Sequence, residues 1–168
     1  QEHLDEYWTT RARDYDAYQL EQRRWDDNWA VWSRVWREAL GPEPLDVLDV
    51  GTGSGYVARV IAGLPEGNRV VGVDLSDGML EIAREHAVED GNGDRLRFEP
   101  GDAVDPPLPA GSVDAVVSRY LMWTLREPVE AARRWRRLLR PGGLVAAVDG
   151  LWHTGAMGRT YPDDVQDA

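Results

Sequence analysis

Three segments of this chain carry acidic or glycine residues directly after an apolar run. LDVLDV (45–50) leads into Gly51-Thr52-Gly53-Ser54-Gly55, with Asp49 just before the glycines. RVVGVD (69–74) ends in Asp74, and LRFE (96–99) leads to Gly101-Asp102-Ala103. Glycine lets a backbone turn sharply and approach a ligand closely, and a helix beginning after it offers free N–H groups. Alone, such a loop is a weak signal, with a tight turn that holds no ligand as its alternative reading. Asp74 lies 23 residues after Gly51, the spacing at which a carboxylate accepts both hydroxyls of a ribose. The Asp102 carboxylate can accept from the amino group of an adenine. Any one of these aspartates could instead cap a helix, but three at successive run ends make that reading weaker.

The glycine spacing bears on which ligand is meant. Dinucleotide loops follow GxGxxG, the last glycine easing helix–strand packing under a pyrophosphate. Here the spacing is GxGxG, and Tyr56 fills the place of that last glycine. Asp49 would oppose a pyrophosphate and suits the ammonium of an amino acid. Ribose, adenine and a zwitterion together are the parts of S-adenosylmethionine. A nicotinamide-dinucleotide oxidoreductase is the alternative, disfavoured by Tyr56 and Asp49.

Positioning these residues requires strands that end at one edge. After a helical segment, 2–40, closed by Gly41-Pro42-Glu43-Pro44, apolar runs alternate with helical ones. Strands are expected at 45–50, 69–74, 96–99, 112–118 and 144–149. Helices are expected at 54–62, 77–88 and 127–139, the last ended by Pro141-Gly142-Gly143. Buried β-branched strands alternating with helices imply parallel β-α-β units. The expected class is α/β, a Rossmann-like doubly wound sheet of mostly parallel strands with an N-terminal helical cover and the C-terminal strands missing. The divisions are a cover (1–44), a ligand-binding core (45–149) and the start of an incomplete C-terminal part (150–168).

Composition sets the outer bounds. The chain has 168 residues, enough for one core, with 42% hydrophobic and 29% charged residues and a net charge of −11. That charge disfavours sequence-independent nucleic-acid binding. No apolar run is long enough for a membrane span, and no secretory pattern opens the chain, so the expected setting is cytoplasmic. With no cysteine and three histidines (His3, His86, His153), neither a thiolate site nor a histidine-rich metal site is expected.

VLDVGTGSG (47–55), VVGVDLSDGML (70–80), GDAVDPPLPAGSVDAVVS (101–118) and LLRPGGLV (138–145) resemble the successive motifs of class I S-adenosylmethionine-dependent methyltransferases. YWTTRARDYD (7–16) is similar to the aromatic pre-domain motif of the small-molecule branch, and SRYLMWTLREP (118–128) and VDGLW (148–152) resemble its methyltransferase type 11 members. The resemblance covers residues 7–152. It implies that Gly51, Gly53 and Gly55 line the methionine and ribose portions of the cofactor, with Asp49 near the amino group. Asp74 would hold the ribose, Leu75 and Met79 would lie against the adenine, and Asp102 and Ala103 would meet its edge. Ser118 and Arg119 would sit beside the methionine moiety, and Tyr15 would close over the cofactor. Position 120 is often histidine in such members and is Tyr here. Relatives also continue beyond the fifth strand with a helix and an antiparallel strand pair, whereas nineteen residues follow Asp149. Strand five is therefore expected to be an apolar edge, covered by a further segment, a lattice neighbour or a partner such as a second copy.

The implied activity is methyl transfer to a small-molecule acceptor by direct displacement, yielding S-adenosylhomocysteine. No catalytic base stands out; His153 reads more readily as a surface residue. A cofactor-binding module without transferase activity is a further alternative. Trp25, Trp29, Trp32 and Trp36 share one helix face, better explained by packing than by an aromatic wall for an acceptor. Trp123 is the better acceptor contact. Arg133, Arg134, Arg136, Arg137 and Arg140 read as a solvated helix face rather than an RNA patch.

Overall fold

The computed structural model describes residues 12–13 and 29–150. Within them the chain runs α1 (Trp29–Leu40), β1 (Asp46–Val50), α2 (Tyr56–Ala62), β2 (Arg69–Asp74), α3 (Asp77–Glu89), β3 (Leu96–Pro100), β4 (Val113–Arg119), a short 3-10 helix (Met122–Thr124), α4 (Pro128–Leu138) and β5 (Leu139–Val148). All five described strands pair in parallel, in the order β3-β2-β1-β4-β5. The fold is the α/β doubly wound sheet expected from the alternation of runs. The order reverses between β1 and β4, the switch point at which a crevice opens beyond the carboxyl ends of the strands.

Alternation along each strand separates two cores. Val47, Val70, Ala115 and Val117 face α1, α2 and α3, packing with Trp36, Leu40, Val60, Ile61 and Leu80. Leu48, Val50, Val73 and Val116 face α4, packing with Ala131, Trp135 and Leu138. Within the tryptophan stripe, Trp36 is wholly buried and stacks on Trp32 at 6.1 Å, while Trp29 remains 40% exposed. Packing accounts for the two inner indoles. Trp29 meets Tyr56 edge-on at 5.8 Å. Trp25 lies outside the described residues.

Side chains tie the helices to the sheet. Arg59 of α2 is buried and donates to both oxygens of Asp90 at 2.6 and 2.9 Å, holding α2 to the end of α3. Asn68, also buried, accepts from the Leu45 amide and donates to the Ile61 carbonyl oxygen, fixing the turn into β2. The Trp135 indole N–H donates to the Ala103 carbonyl oxygen at 2.7 Å, which anchors the loop after β3 onto α4.

One sequence expectation changes and another is refined. β5 begins at Leu139, directly where α4 ends, and not at Leu144. Val113 pairs with Leu139 and Ala115 with Leu144, so Arg140–Gly143 bulges out of the ladder. Pro-Gly-Gly bends the strand without ending it because the bulge absorbs the residues that cannot pair. The arginine run also divides. Arg140 leaves the helix and bridges Asp46 and Asp114 at 3.1 and 2.8 Å, while Arg134 pairs with Glu130 and Asp105. Arg133, Arg136 and Arg137 stay exposed on α4, as a solvated helix face requires.

Candidate functional site

At the carboxyl edge of β1 the glycines take left-handed conformations: Gly51, Gly53 and Gly55 have φ of 65°, 55° and 80°. β-Carbons are disfavoured there, which explains the residue type. The Gly51 and Thr52 amides both donate to the Val73 carbonyl oxygen, at 2.8 and 3.0 Å, so β2 holds the loop. A side chain at Gly55 would strike Ala83 and Phe98, at 2.9 and 3.0 Å, so this glycine lets α2 sit close to α3 and β3. At Gly53 a β-carbon would meet nothing within 4 Å among the described residues. The loop is braced beneath and open above.

Asp49 sits one residue before the end of β1, in register with Gly72 and Val117. It is 1% exposed. The Thr52 hydroxyl donates to its carboxylate at 2.7 Å. Burial pushes the Asp49 pKa up to about 7, against the lowering effects of the Thr52 hydrogen bond, the positive charge of Arg119 and the Ala58 amide; the negative charge of Asp74 adds to the rise. A carboxyl group kept this dry welcomes a cation.

Gly72 makes that arrangement possible. A β-carbon there would lie 2.7 Å from both the Thr52 hydroxyl and the Phe98 ring. Neither Gly72 nor Thr52 was singled out from sequence, although a lone glycine inside the β-branched run RVVGVD is the signal of a close approach.

Asp74 ends β2. Its two oxygens accept from the Gly53 amide at 2.8 Å and the Ser76 amide at 2.9 Å, so the carboxylate joins the glycine loop to the start of α3. Leu75 is half-buried, whereas Met79 is buried against Ile82 and Ala12. Asp102 turns back to accept from the Val104 amide at 2.8 Å, and Ala103 is buried in the α4-facing core.

The far wall comes from β4. Ser118 is buried on the α4 face, its hydroxyl making no hydrogen bond. Arg119 projects to the opposite face. Tyr120 follows with φ of 58°, a conformation that bulky side chains rarely adopt, and its amide donates to the Val148 carbonyl oxygen at 2.8 Å. Leu121 then reaches back over Gly51: a β-carbon there would stand 2.6 Å from its side chain. Trp123, on the 3-10 helix, is 53% exposed. Gly51, Gly53, Asp49, Asp74 and Arg119 thus gather around the β1–β4 switch point, with Asp102 and Ala103 on the loop after β3. Tyr15 and His153 lie outside the described residues.

A separate groove of about 450 Å³ between α4 and the 105–110 loop shares none of these residues. Among the described residues no cluster of histidine and acidic side chains could hold a metal ion, and no helix is long and apolar enough to cross a membrane.

The family described as Methyltransferase domain matches residues 48–147, more than half of the chain. This chain belongs to that family. It is 30% identical over 146 residues to a demethylmenaquinone methyltransferase of Symbiobacterium thermophilum, covering 85% of this chain and 57% of the relative. To the acetylserotonin O-methyltransferase of Mus musculus it is 32% identical over 161 residues, covering 93% of this chain and 41% of that protein. Among solved structures, the 4+2 cyclase SpnF superposes with a TM-score of 0.62 at 30% identity, over 67% of this chain and 42% of that one. The chain therefore spans about half the length of the relatives that it matches.

Proposed function

We propose that this chain binds S-adenosylmethionine at the β1–β4 switch point and transfers its methyl group to a small-molecule acceptor. The observation that carries the reading is the set of three carboxylates around an open glycine loop: buried Asp49, bridging Asp74 and, on the next loop, Asp102. The donor set fits the cofactor's parts. Asp49 would hold the ammonium; Gly51, Gly53 and Gly55 would line the methionine and ribose portions; Asp74 would accept from the ribose hydroxyls. Leu75, Met79, Asp102 and Ala103 would meet the adenine, and the unpartnered Ser118 hydroxyl and Arg119 would border the methionine end. Among the described residues none crowds the space at Gly53, which leaves such a ligand room on this side.

Bound S-adenosylmethionine would supply an already activated methyl group, its methyl–sulfur bond breaking in line with the acceptor as S-adenosylhomocysteine leaves. What falls to the protein is alignment and exclusion of water. Asp49 and Asp74, fixed by β1 and β2, orient the two ends of the cofactor. Leu121 supplies apolar cover next to Gly51, and Trp123 offers an exposed indole for an acceptor. The N-terminal segment, with Tyr15, would act as the cover. A net charge of −11 disfavours a polyanionic acceptor, and the relatives' named reactions lie on small molecules. A chain without cysteine suits the cytoplasm.

Calorimetric titration with S-adenosylmethionine, S-adenosylhomocysteine and NAD(H) tests the first step. Binding of the first two and not the third is expected; NAD(H) binding alone would overturn the reading. A transfer screen with methyl-labelled cofactor against small aromatic, sugar and polyketide-like acceptors tests the second. The likeness to a cyclase supports a second reading, cofactor binding without transfer. Under that reading no acceptor would take up label although the cofactor binds.

A further inference from the structure

Arg119 ends β4 on the sheet face that carries Asp49. Asp49 pairs in register with Val117, so Arg119, two residues on, emerges on the same face one step nearer the glycine loop. Three aromatic rings surround its guanidinium. The carbon of that group lies 4.6 Å from the ring centre of Tyr56, 4.8 Å from that of Trp32 and 5.2 Å from that of Tyr120. These rings come from α2, α1 and the end of β4. An aromatic face attracts a cation through its quadrupole, and a planar guanidinium stacks on it where an ammonium cannot. Tyr120 delivers its ring from a strained backbone, held in place by the hydrogen bond of its amide to Val148.

Among the described residues, few charges face Asp49. Arg119 approaches from β4 and Asp74 from β2, while Thr52 and the Ala58 amide contribute hydrogen bonds. On α3, His86 has its Nδ1 directed at the Ser54 carbonyl oxygen, 3.5 Å away. Among the described residues, Arg119 supplies a positive charge that acts on the buried carboxylate.

We propose that Arg119 is a positioning residue, caged by Trp32, Tyr56 and Tyr120 beside Asp49 so that a share of the buried carboxyl group is ionised near neutral pH and able to seat a cationic ligand group. The ligand half of this inference rests on the assignment of Asp49 to the cofactor's ammonium. The cage gives α1 a second role beyond packing, because it joins the N-terminal helix to the charge balance of the site. Without Arg119, burial acts on Asp49 unopposed by a cation, and the carboxyl group would hold its proton to higher pH.

The test follows the carboxyl carbon of Asp49 by NMR against pH in the ligand-free protein, alongside calorimetric affinity for S-adenosylhomocysteine from pH 6 to 9. It compares the wild type with Arg119→Met, Arg119→Lys and Tyr120→Ala. Arg119→Met is expected to raise the Asp49 midpoint by about one pH unit. The midpoint of the affinity profile should move equally, with affinity nearly restored at pH 9. Arg119→Lys should shift both by less, and Tyr120→Ala, at a partly exposed position, should shift both in the same direction. An unmoved Asp49 midpoint in Arg119→Met overturns the proposal. So does a uniform loss of affinity at every pH, which marks direct contact or packing alone. If Arg119→Met does not fold, the Tyr120→Ala titration decides on the same criterion. A wild type that binds no S-adenosylhomocysteine, yet shows the shifted Asp49 midpoint, sustains the Arg119–Asp49 coupling and removes the cofactor assignment instead.

Discussion

At Asp74 one carboxylate serves two neighbours, with the Gly53 amide on one oxygen and the Ser76 amide on the other. The proposed ribose contact would add to these bonds. Asp74→Ala is accordingly expected to weaken S-adenosylmethionine by roughly 1.5–3 kcal/mol, the range for hydrogen bonds to a charged group. Calorimetry measures this, and unchanged affinity would remove the ribose assignment. Asp49 makes a different prediction because its pKa is raised, not lowered. Between the unfolded value near 3.8 and the folded value of about 7, the folded chain keeps a proton that the unfolded chain releases. The contribution of Asp49 to stability is thus fully present below pH 3.8 and is lost as pH rises through 7. The three-unit difference bounds the loss at roughly 4 kcal/mol. Asp49→Asn should flatten this slope and be more stable than wild type at pH 8, while binding the cofactor less well. Urea midpoints at pH 4, 6 and 8 check it; parallel slopes for the two proteins would refute the burial argument.

Among the elements, α1 shows how sequence spacing and burial part company. Trp29, Trp32 and Trp36 share one face by spacing, yet Trp36 alone is completely enclosed, while Trp32 also meets Arg119 and Trp29 stays half in solvent. Deleting a buried indole leaves a cavity that the sheet cannot collapse to fill. Trp36→Ala should cost about 3–5 kcal/mol in chemical denaturation, and Trp29→Ala a much smaller amount. Equal losses would mean that α1 is not seated as described. β5 teaches a related lesson. Pro141-Gly142-Gly143 reads as a stop, but the ladder continues around it because Leu139 still finds Val113. Local sequence marks the irregularity, and only the neighbouring strand decides whether it ends the element or bulges from it.

For the whole molecule, the strand order places β1 and β4 at the centre of the described sheet, with β3 and β5 at its margins. β1 and β4 are covered on both faces, by α1 to α3 on one side and α4 on the other. Amide exchange should be slowest in Val47–Val50 and Ala115–Val117, and faster in Leu96–Pro100 and in Leu144–Val148, where Val145 is 45% exposed. Exchange followed by mass spectrometry tests this. Protection of β5 equal to that of β1 would show that its outer edge is paired in solution, as the sequence expectation of a covered apolar edge requires.

Sequence by itself determined the class of fold, since β-branched runs alternating with helical ones admit few arrangements but a parallel sheet. It also determined the candidate residues, because Asp49, the GxGxG loop, Asp74 and Asp102 each stand at the end of an apolar run, and strand ends share one edge. What tertiary structure decided is how those residues are held. That Thr52 bonds Asp49, that Gly72 makes room for it, and that Arg119 stands among Trp32, Tyr56 and Tyr120 depend on contacts between residues up to 87 positions apart. No local pattern encodes such distances. The raised pKa of Asp49 has the same origin: a side chain's charge state follows from the water and charges around it, and these are fixed only when β1, β2 and β4 come together.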